Sequence, residues 1–246
     1  MKHANAVKVI GAVVLILAMA ANLALAGNPN PKVLPPGSTP YGKSYGEWGA
    51  AWWQWATSFP LEVNPVYNDP TGAFASLGQS GPVWFLAGTS DATAVRTCTV
   101  PTGKALFFPI INIMNDYPCP DPNFQPAPGQ TLENFLTQGA HWYIDHVTAL
   151  AADVDGVALQ DLESYRAYSK MFYVTMDPSL IVWDPCNIGP APQPAVSEGY
   201  WIMLAPLTPG YHTIHFTGTW LFTLEADGFD WLFTVDVTYL LTVGKD

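Results

Sequence analysis

Positive charge is scarce in this chain of 246 residues, which carries nine Lys and Arg against twenty Asp and Glu. That balance excludes nucleic acid and anionic membrane surfaces as partners, because affinity for either rests on Lys and Arg neutralising negative charge. Cysteine is sparse as well. Three residues, Cys98, Cys119 and Cys186, allow one intrachain disulfide with one thiol left over. Beyond residue 26 no stretch approaches the roughly 18 consecutive apolar residues that a membrane-spanning helix needs. Aromatic side chains, by contrast, are abundant, with ten Trp, eleven Tyr and twelve Phe available to fill a core.

The first residues predict export. Lys2, His3 and Lys8 flank the start of an apolar run from Val9 to Ala21, and Ala24-Leu25-Ala26 offers small residues at a cleavage site. This is the pattern of a secretory signal peptide over 1–26, and it implies a secreted or periplasmic protein. Lys2 and Lys8 would leave with it while every acid stays. Residues 27–40, rich in Pro and Asn, read as an extended leader without regular structure. Residues 41–246 read as one domain.

In an oxidising compartment a disulfide is expected. Cys119 in "DYPCPDP" and Cys186 in "WDPCNIG" sit in proline-rich loops that gain most from a covalent tie, so these two are paired here. Cys98 with Cys119 is the competing pair. Cys98 alternates with Thr97 and Thr99 and so points inward as a buried thiol.

The segment "SYGEWGAAWWQWATSFP", residues 44–60, predicts a helix. Ser44 and Glu47 form a capping box, Pro60 ends the run, and 3.6-residue periodicity puts Trp48, Trp52, Trp55 and Phe59 on one buried stripe. Trp53 lies off that stripe. A second helix is predicted from "LENFLTQGAHWYI" behind the Thr131 cap, weakened by Gly139. The rest reads as strands. "PVWFLAG", "TAVRTCTVP" and "KALFFPIINI" are strand-like, and Pro109 inside the last of them demands a sheet edge or a bulge. Two Asp-Gly pairs, Asp155-Gly156 and Asp227-Gly228, mark hairpins. "GYWIMLAPL" is apolar on both faces and should be a central strand. The pattern specifies a mainly β protein, an antiparallel β-sandwich of the jelly-roll or immunoglobulin-like kind with an N-terminal aromatic helix and one further helix.

Several motif matches lack their context. "GSTPYGKS", Gly37–Ser44, fits the phosphate-loop pattern, yet "KVLPP" rather than a buried parallel strand precedes it. "GKSYG" fits the GxSxG elbow, but no strand leads into it and the capping box already employs Ser44. His212 and His215 lie an odd number apart on a strand and face opposite sides, and His141 with Asp145 shares a helix face that a polar edge explains. "DVDG" from Asp153 starts like a calcium loop, but Val157 falls where the next ligand belongs. No catalytic residue, metal set or cofactor is therefore assigned.

What remains is binding. An aromatic groove where the helix meets the sheets would present Glu47, Trp53, Gln54, Arg96 and Asn112 to an extracellular glycan or another surface ligand. The rival readings are an extracellular hydrolase whose carboxylates, among them Glu47, Asp116 and Asp145, converge, and a structural coat or assembly subunit.

The segments "YGEWGAAWWQWATS", "GQSGPVWFLAGT", "RTCTVPTGKALFFPIIN" and "GYWIMLAPLTPGYHTIHFTGT" together resemble a family of uncharacterised secreted bacterial proteins. The resemblance implies a shared secreted β-rich fold and transfers no catalytic residue. It also marks the "NDYPCPDPNFQPAPG" loop and the segment near Cys186 as local elaborations.

Overall fold

A computed structural model of the chain describes residue 30 and residues 32–244. The signal sequence expected at 1–26 lies outside the described residues. Helix α1 (Tyr45–Ala56) begins as its sequence dictates: the Glu47 N–H donates to Ser44 Oγ (3.3 Å) and the Ser44 N–H to Glu47 Oε2 (2.7 Å). Each end of the first turn thus satisfies a donor of the other. The chain then forms β1 (Val83–Phe85), β2 (Thr93–Pro101), β3 (Ala105–Asp116), α2 (Leu132–Asp145), β4 (Val147–Val154) and β5 (Val157–Ala158). It continues through β6 (Arg166–Tyr168), β7 (Phe172–Val174), β8 (Gln193–Leu204), β9 (Gly210–Phe222), the short α3 (Leu224–Asp227) and β10 (Trp231–Gly244).

The strands make two five-stranded sheets. One runs β1-β3-β8-β6 with β7 also paired to β8, and the other runs β2-β10-β9-β4-β5. This is the mainly β, two-sheet sandwich that the alternating pattern predicts. Its pairings are antiparallel except for two: β1 with β3 and β2 with β10 are parallel. Nothing local distinguishes those strands, because parallel partners are joined only through distant chain.

The first sheet is buried on both faces. Toward α1 it presents Phe107 and Trp201, stacked at 5.2 Å, against which Trp48 and Trp52 pack. Toward the second sheet it presents Phe108, stacked on Phe216 at 5.0 Å. Ten consecutive residues of β8, Ala195–Leu204, are accordingly buried, as its two-sided apolar sequence implies. The α1 stripe forms a third layer on this sheet. Each stripe indole also donates to a backbone carbonyl, Trp48 to Pro40, Trp52 to Leu86 and Trp55 to Leu77, at 2.8–2.9 Å.

Close approach between layers explains two glycines. A Cβ on Gly46 would lie 2.0 Å from the Tyr168 carbonyl oxygen, so α1 can dock on β6 only without one. A Cβ on Gly139 would meet the Asn115 amide at 2.2 Å, where that amide donates to the Leu136 carbonyl. The residue that weakens α2 by propensity lets it lie on β3.

Pro109 produces a bulge, with the register shifting between Pro109 and Ile111 on a strand flanked by β1 and β8. The Asp155-Gly156 hairpin forms with both residues at positive φ, 54° and 76°, as a two-residue primed turn requires. At Asp227-Gly228 the outcome differs from a tight turn: β9 and β10 pair, but residues 224–227 coil into α3 behind the Thr223 cap, and Gly228 at φ 81° closes it. Thr223 with three following residues makes a better helix start than a strand end. Within the expected leader, the described residues form no strand, but the chain is tied to the first sheet: Val33 is buried and bridges Leu204, and the Leu34 N–H donates to Met203 O (2.8 Å), because the end of β8 offers free backbone groups.

The disulfide joins Cys119 to Cys186, and Cys98 is a buried free thiol. Among the described residues no helix is long and apolar enough to cross a membrane.

Candidate functional site

Strand β1 covers β3 only along Ala105–Phe107. Beyond that point the β3 edge is open, and a cleft follows it between α1, the Gly88–Ser90 loop and the near ends of β9 and β10. The sandwich makes this space by mismatch of its layers. Trp231 stands opposite Phe222 and Phe233 opposite Trp220 in the β9–β10 register, all on the inward face of the second sheet. Their rings stack in a ladder: Trp220–Trp231 at 5.9 Å, Trp231–Phe233 at 5.7 Å and Phe222–Trp231 at 5.4 Å, within 20–25° of parallel. The ladder overhangs the first sheet, so Trp231, on an inward-facing position, is 40% exposed.

The cleft has two chambers of about 330 Å³ and 390 Å³ that share Trp53, Tyr67 and Trp183 as walls. Trp183 is 47% exposed and stacks on Tyr67 at 5.3 Å. The first chamber is walled by the ladder with Trp52, Gly88, Ser90 and Asn112. In it four buried donors lack a protein partner: Trp53 Nε1, Ser90 Oγ, Asn112 Nδ2 and Trp220 Nε1. Each such group costs about 1–3 kcal/mol when buried unsatisfied, so their gathering in the walls of one cleft marks where a polar ligand or water restores them.

The second chamber is acidic. Asp116, at the end of β3, is 4% exposed, and its carboxylate accepts from the Gln193 amide. Asp184 accepts from the Cys186 N–H (2.9 Å), and the carboxylate oxygens of Asp116 and Asp184 lie within 4.8 Å of each other. Burial, and secondarily the Asp184 charge, push the Asp116 carboxyl up to about 8. Burial also raises Asp184. Burial and the two acids together hold the Tyr67 phenol above its ordinary value. The Cys186 sulfur completes this group in space but is committed to the disulfide. Two carboxylates fall short of the three or four ligands a zinc site needs.

Of the five contacts expected from sequence, Trp53 and Asn112 line the cleft together. Trp53 is only 9% exposed, packed edge-on against Trp52 at 5.1 Å. The other three are employed elsewhere. Glu47 caps α1, its carboxyl held below the ordinary range first by the Ser44 backbone N–H and then by the Ser44 hydroxyl. The Gln54 amide donates to the Tyr173 carbonyl (2.9 Å). Arg96 is buried and, instead of pairing with an acid, donates to the carbonyls of Asp69, Ala87 and Gly88 and to the Tyr239 hydroxyl at 2.6–3.0 Å. It braces the Gly88–Ser90 wall from behind. The acids of the hydrolase reading do not converge as a set: Glu47 caps, Asp145 pairs with Arg166 (2.6 Å), and Asp116 meets Asp184 instead. His141 and Asp145 share a network with Glu198 around the Arg166 guanidinium, which fills the place a cation would take.

Tyr67, Trp183, Asp184 and the ladder residues escaped the sequence reading. A visible signal existed for the ladder, since Trp231 and Phe233 are aromatics at alternate positions of one strand, with Phe229 two residues before it. Alternation reports the inward face and says nothing of where the opposing layer stops.

The fold and the cleft thus define a two-sheet β protein with an aromatic groove at one open end of its sandwich. No family model, no curated protein and no solved structure matches the chain.

Proposed function

We propose that this protein is an exported binding module whose aromatic cleft takes carbohydrate. The observation that carries the reading is the stacked ladder of Trp220, Trp231 and Phe233 facing Trp53 and Trp183 across an open cleft with unpartnered donors in its walls. Sugar rings offer what those walls need, apolar C–H faces for aromatic stacking and ring or hydroxyl oxygens for N–H donors. Export is supported by the N-terminal signal pattern and by a disulfide, which persists in oxidising compartments. Membership of the secreted family that the sequence resembles belongs to the same proposal.

A glycan array followed by calorimetry on the retained oligosaccharides tests the reading. Trp231→Ala and Trp183→Ala should each weaken binding by roughly two- to tenfold, the worth of one aromatic stack. Both residues are substantially exposed, so these variants report on the cleft, whereas Trp53→Ala would open a core cavity as well. Unchanged affinity in both variants would remove the cleft from the account. The hydrolase reading now rests on Asp116 and Asp184 alone, and release of reducing ends from the same oligosaccharides, lost in Asp116→Asn, is its test.

A further inference from the structure

The two chambers differ in charge. The residues lining the second include Asp116 and Asp184 but no Lys, Arg or His. Two carboxylates with oxygens within 4.8 Å of each other, one of them buried, repel in a low-dielectric wall. The fold holds them there deliberately in the physical sense: Cys119 follows Asp116 closely, Cys186 follows Asp184 closely, and the disulfide clamps the two segments together. Beside the pair stand Trp53, Tyr67, Tyr143 and Trp183. Carboxylates combined with aromatic faces are the surroundings that a desolvated organic cation requires. A calcium ion would want six or more oxygen ligands, and two carboxylates do not approach that set.

A second feature narrows the ligand. Trp53, the wall that this chamber shares with the first, is more than nine-tenths buried, and its Nε1–H has no partner. A bare alkylamine carries no acceptor for that donor. A sugar bearing an amine does, since its hydroxyl and ring oxygens sit within a few bonds of the nitrogen.

We propose that the Asp116–Asp184 chamber binds the protonated primary amine of an amino sugar, so that the cleft selects amino sugars with a free amine over neutral or N-acylated ones. This rests on the carbohydrate reading and names its ligand class. The ammonium donates to the two carboxylates, and the ring continues toward the aromatic ladder. In the unliganded protein burial and Asp184 keep the Asp116 proton on to about 8; Tyr67 is the other titratable group whose charge couples to the pair. An arriving ammonium favours the ionised pair, so binding near neutrality releases a proton.

Calorimetry with hexamers of glucosamine, N-acetylglucosamine and glucose, at moderate salt to suppress non-specific attraction to an acidic protein, tests this. The glucosamine hexamer should bind about tenfold tighter than the other two, the scale of one charge-assisted contact. Its binding enthalpy should vary with buffer ionisation, reporting the released proton. In Asp184→Asn the preference should fall to near unity. The ligand comparison is made on the unaltered protein, so it stands whether or not a variant folds. Equal affinity for the three hexamers, or a preference that survives both Asp184→Asn and Asp116→Asn, overturns the amine inference while leaving the carbohydrate reading intact. Failure of all three to bind overturns both.

Discussion

Asp116 ends a β-strand in a place where its carboxyl is shielded from water and faced by Asp184, and the consequence is measurable in stability. Its folded value of about 8 exceeds the unfolded one near 3.9. Between those values the native state holds a proton that the unfolded chain has released, so stability falls as pH rises. Asp184 acts in the same sense. The thermal midpoint should therefore drop by several degrees from about pH 5 to about pH 8.5, and Asp116→Asn should flatten that slope. A midpoint that rises over the interval would contradict the burial of this acid. Gly46 supplies a second test at this scale. In a free helix Gly→Ala gains up to about 1 kcal/mol, but here the added carbon would sit 2.0 Å from the Tyr168 carbonyl oxygen. Gly46→Ala should instead cost roughly 1–3 kcal/mol in urea unfolding, as overpacking does.

Among the elements, α1 was the most legible in the sequence, because everything that specifies it is local: the cap at Ser44, the stripe at Trp48, Trp52 and Trp55, and the stop at Pro60. Ser44→Ala should lower stability by about 1 kcal/mol through loss of the cap, with no other effect. The β9–β10 hairpin was legible from the Asp227-Gly228 pair, although not its α3 connection, where capping by Thr223 replaces the tight turn. The parallel pairing of β2 with β10 was not legible, since the 130 or so residues between them carry no mark of their final adjacency. The disulfide was, because two proline-rich loops each hold one cysteine while Cys98 sits on a buried face. It spans 67 residues, and the chain-entropy relation assigns a closure of that length about 4 kcal/mol. Denaturant unfolding of the Cys119→Ser, Cys186→Ser double variant should show a loss of that order. It should also weaken any ligand that contacts Asp116 and Asp184 together, since the tie holds both segments.

For the molecule as a whole, the site is a product of layer geometry rather than of motif. The phosphate-loop and GxSxG matches fall on Gly37–Ser44 and Gly42–Gly46, after the isolated bridge of Val33 to Leu204 and where a short turn at Pro40–Gly42 delivers the chain to the α1 cap. They shape an entrance to a helix and have no strand to cradle a phosphate. The aromatic helix supplies Trp53 to the cleft, but most of the wall comes from residues far apart in the chain: Tyr67, Asn112, Trp183, Trp220 and Trp231. Sequence reasoning could find Trp53 and Asn112 near a helix–sheet seam. It could not find an overhang, which exists only because β1 is short and β9 and β10 are long.

Titration of intrinsic tryptophan fluorescence with the glucosamine hexamer tests the cleft most directly, because five of its lining residues are indoles. The account predicts a saturable change in emission that Trp231→Ala and Trp183→Ala both diminish along with affinity. An emission spectrum indifferent to every oligosaccharide offered, or a response that both variants leave at the strength of the unaltered protein, would contradict it.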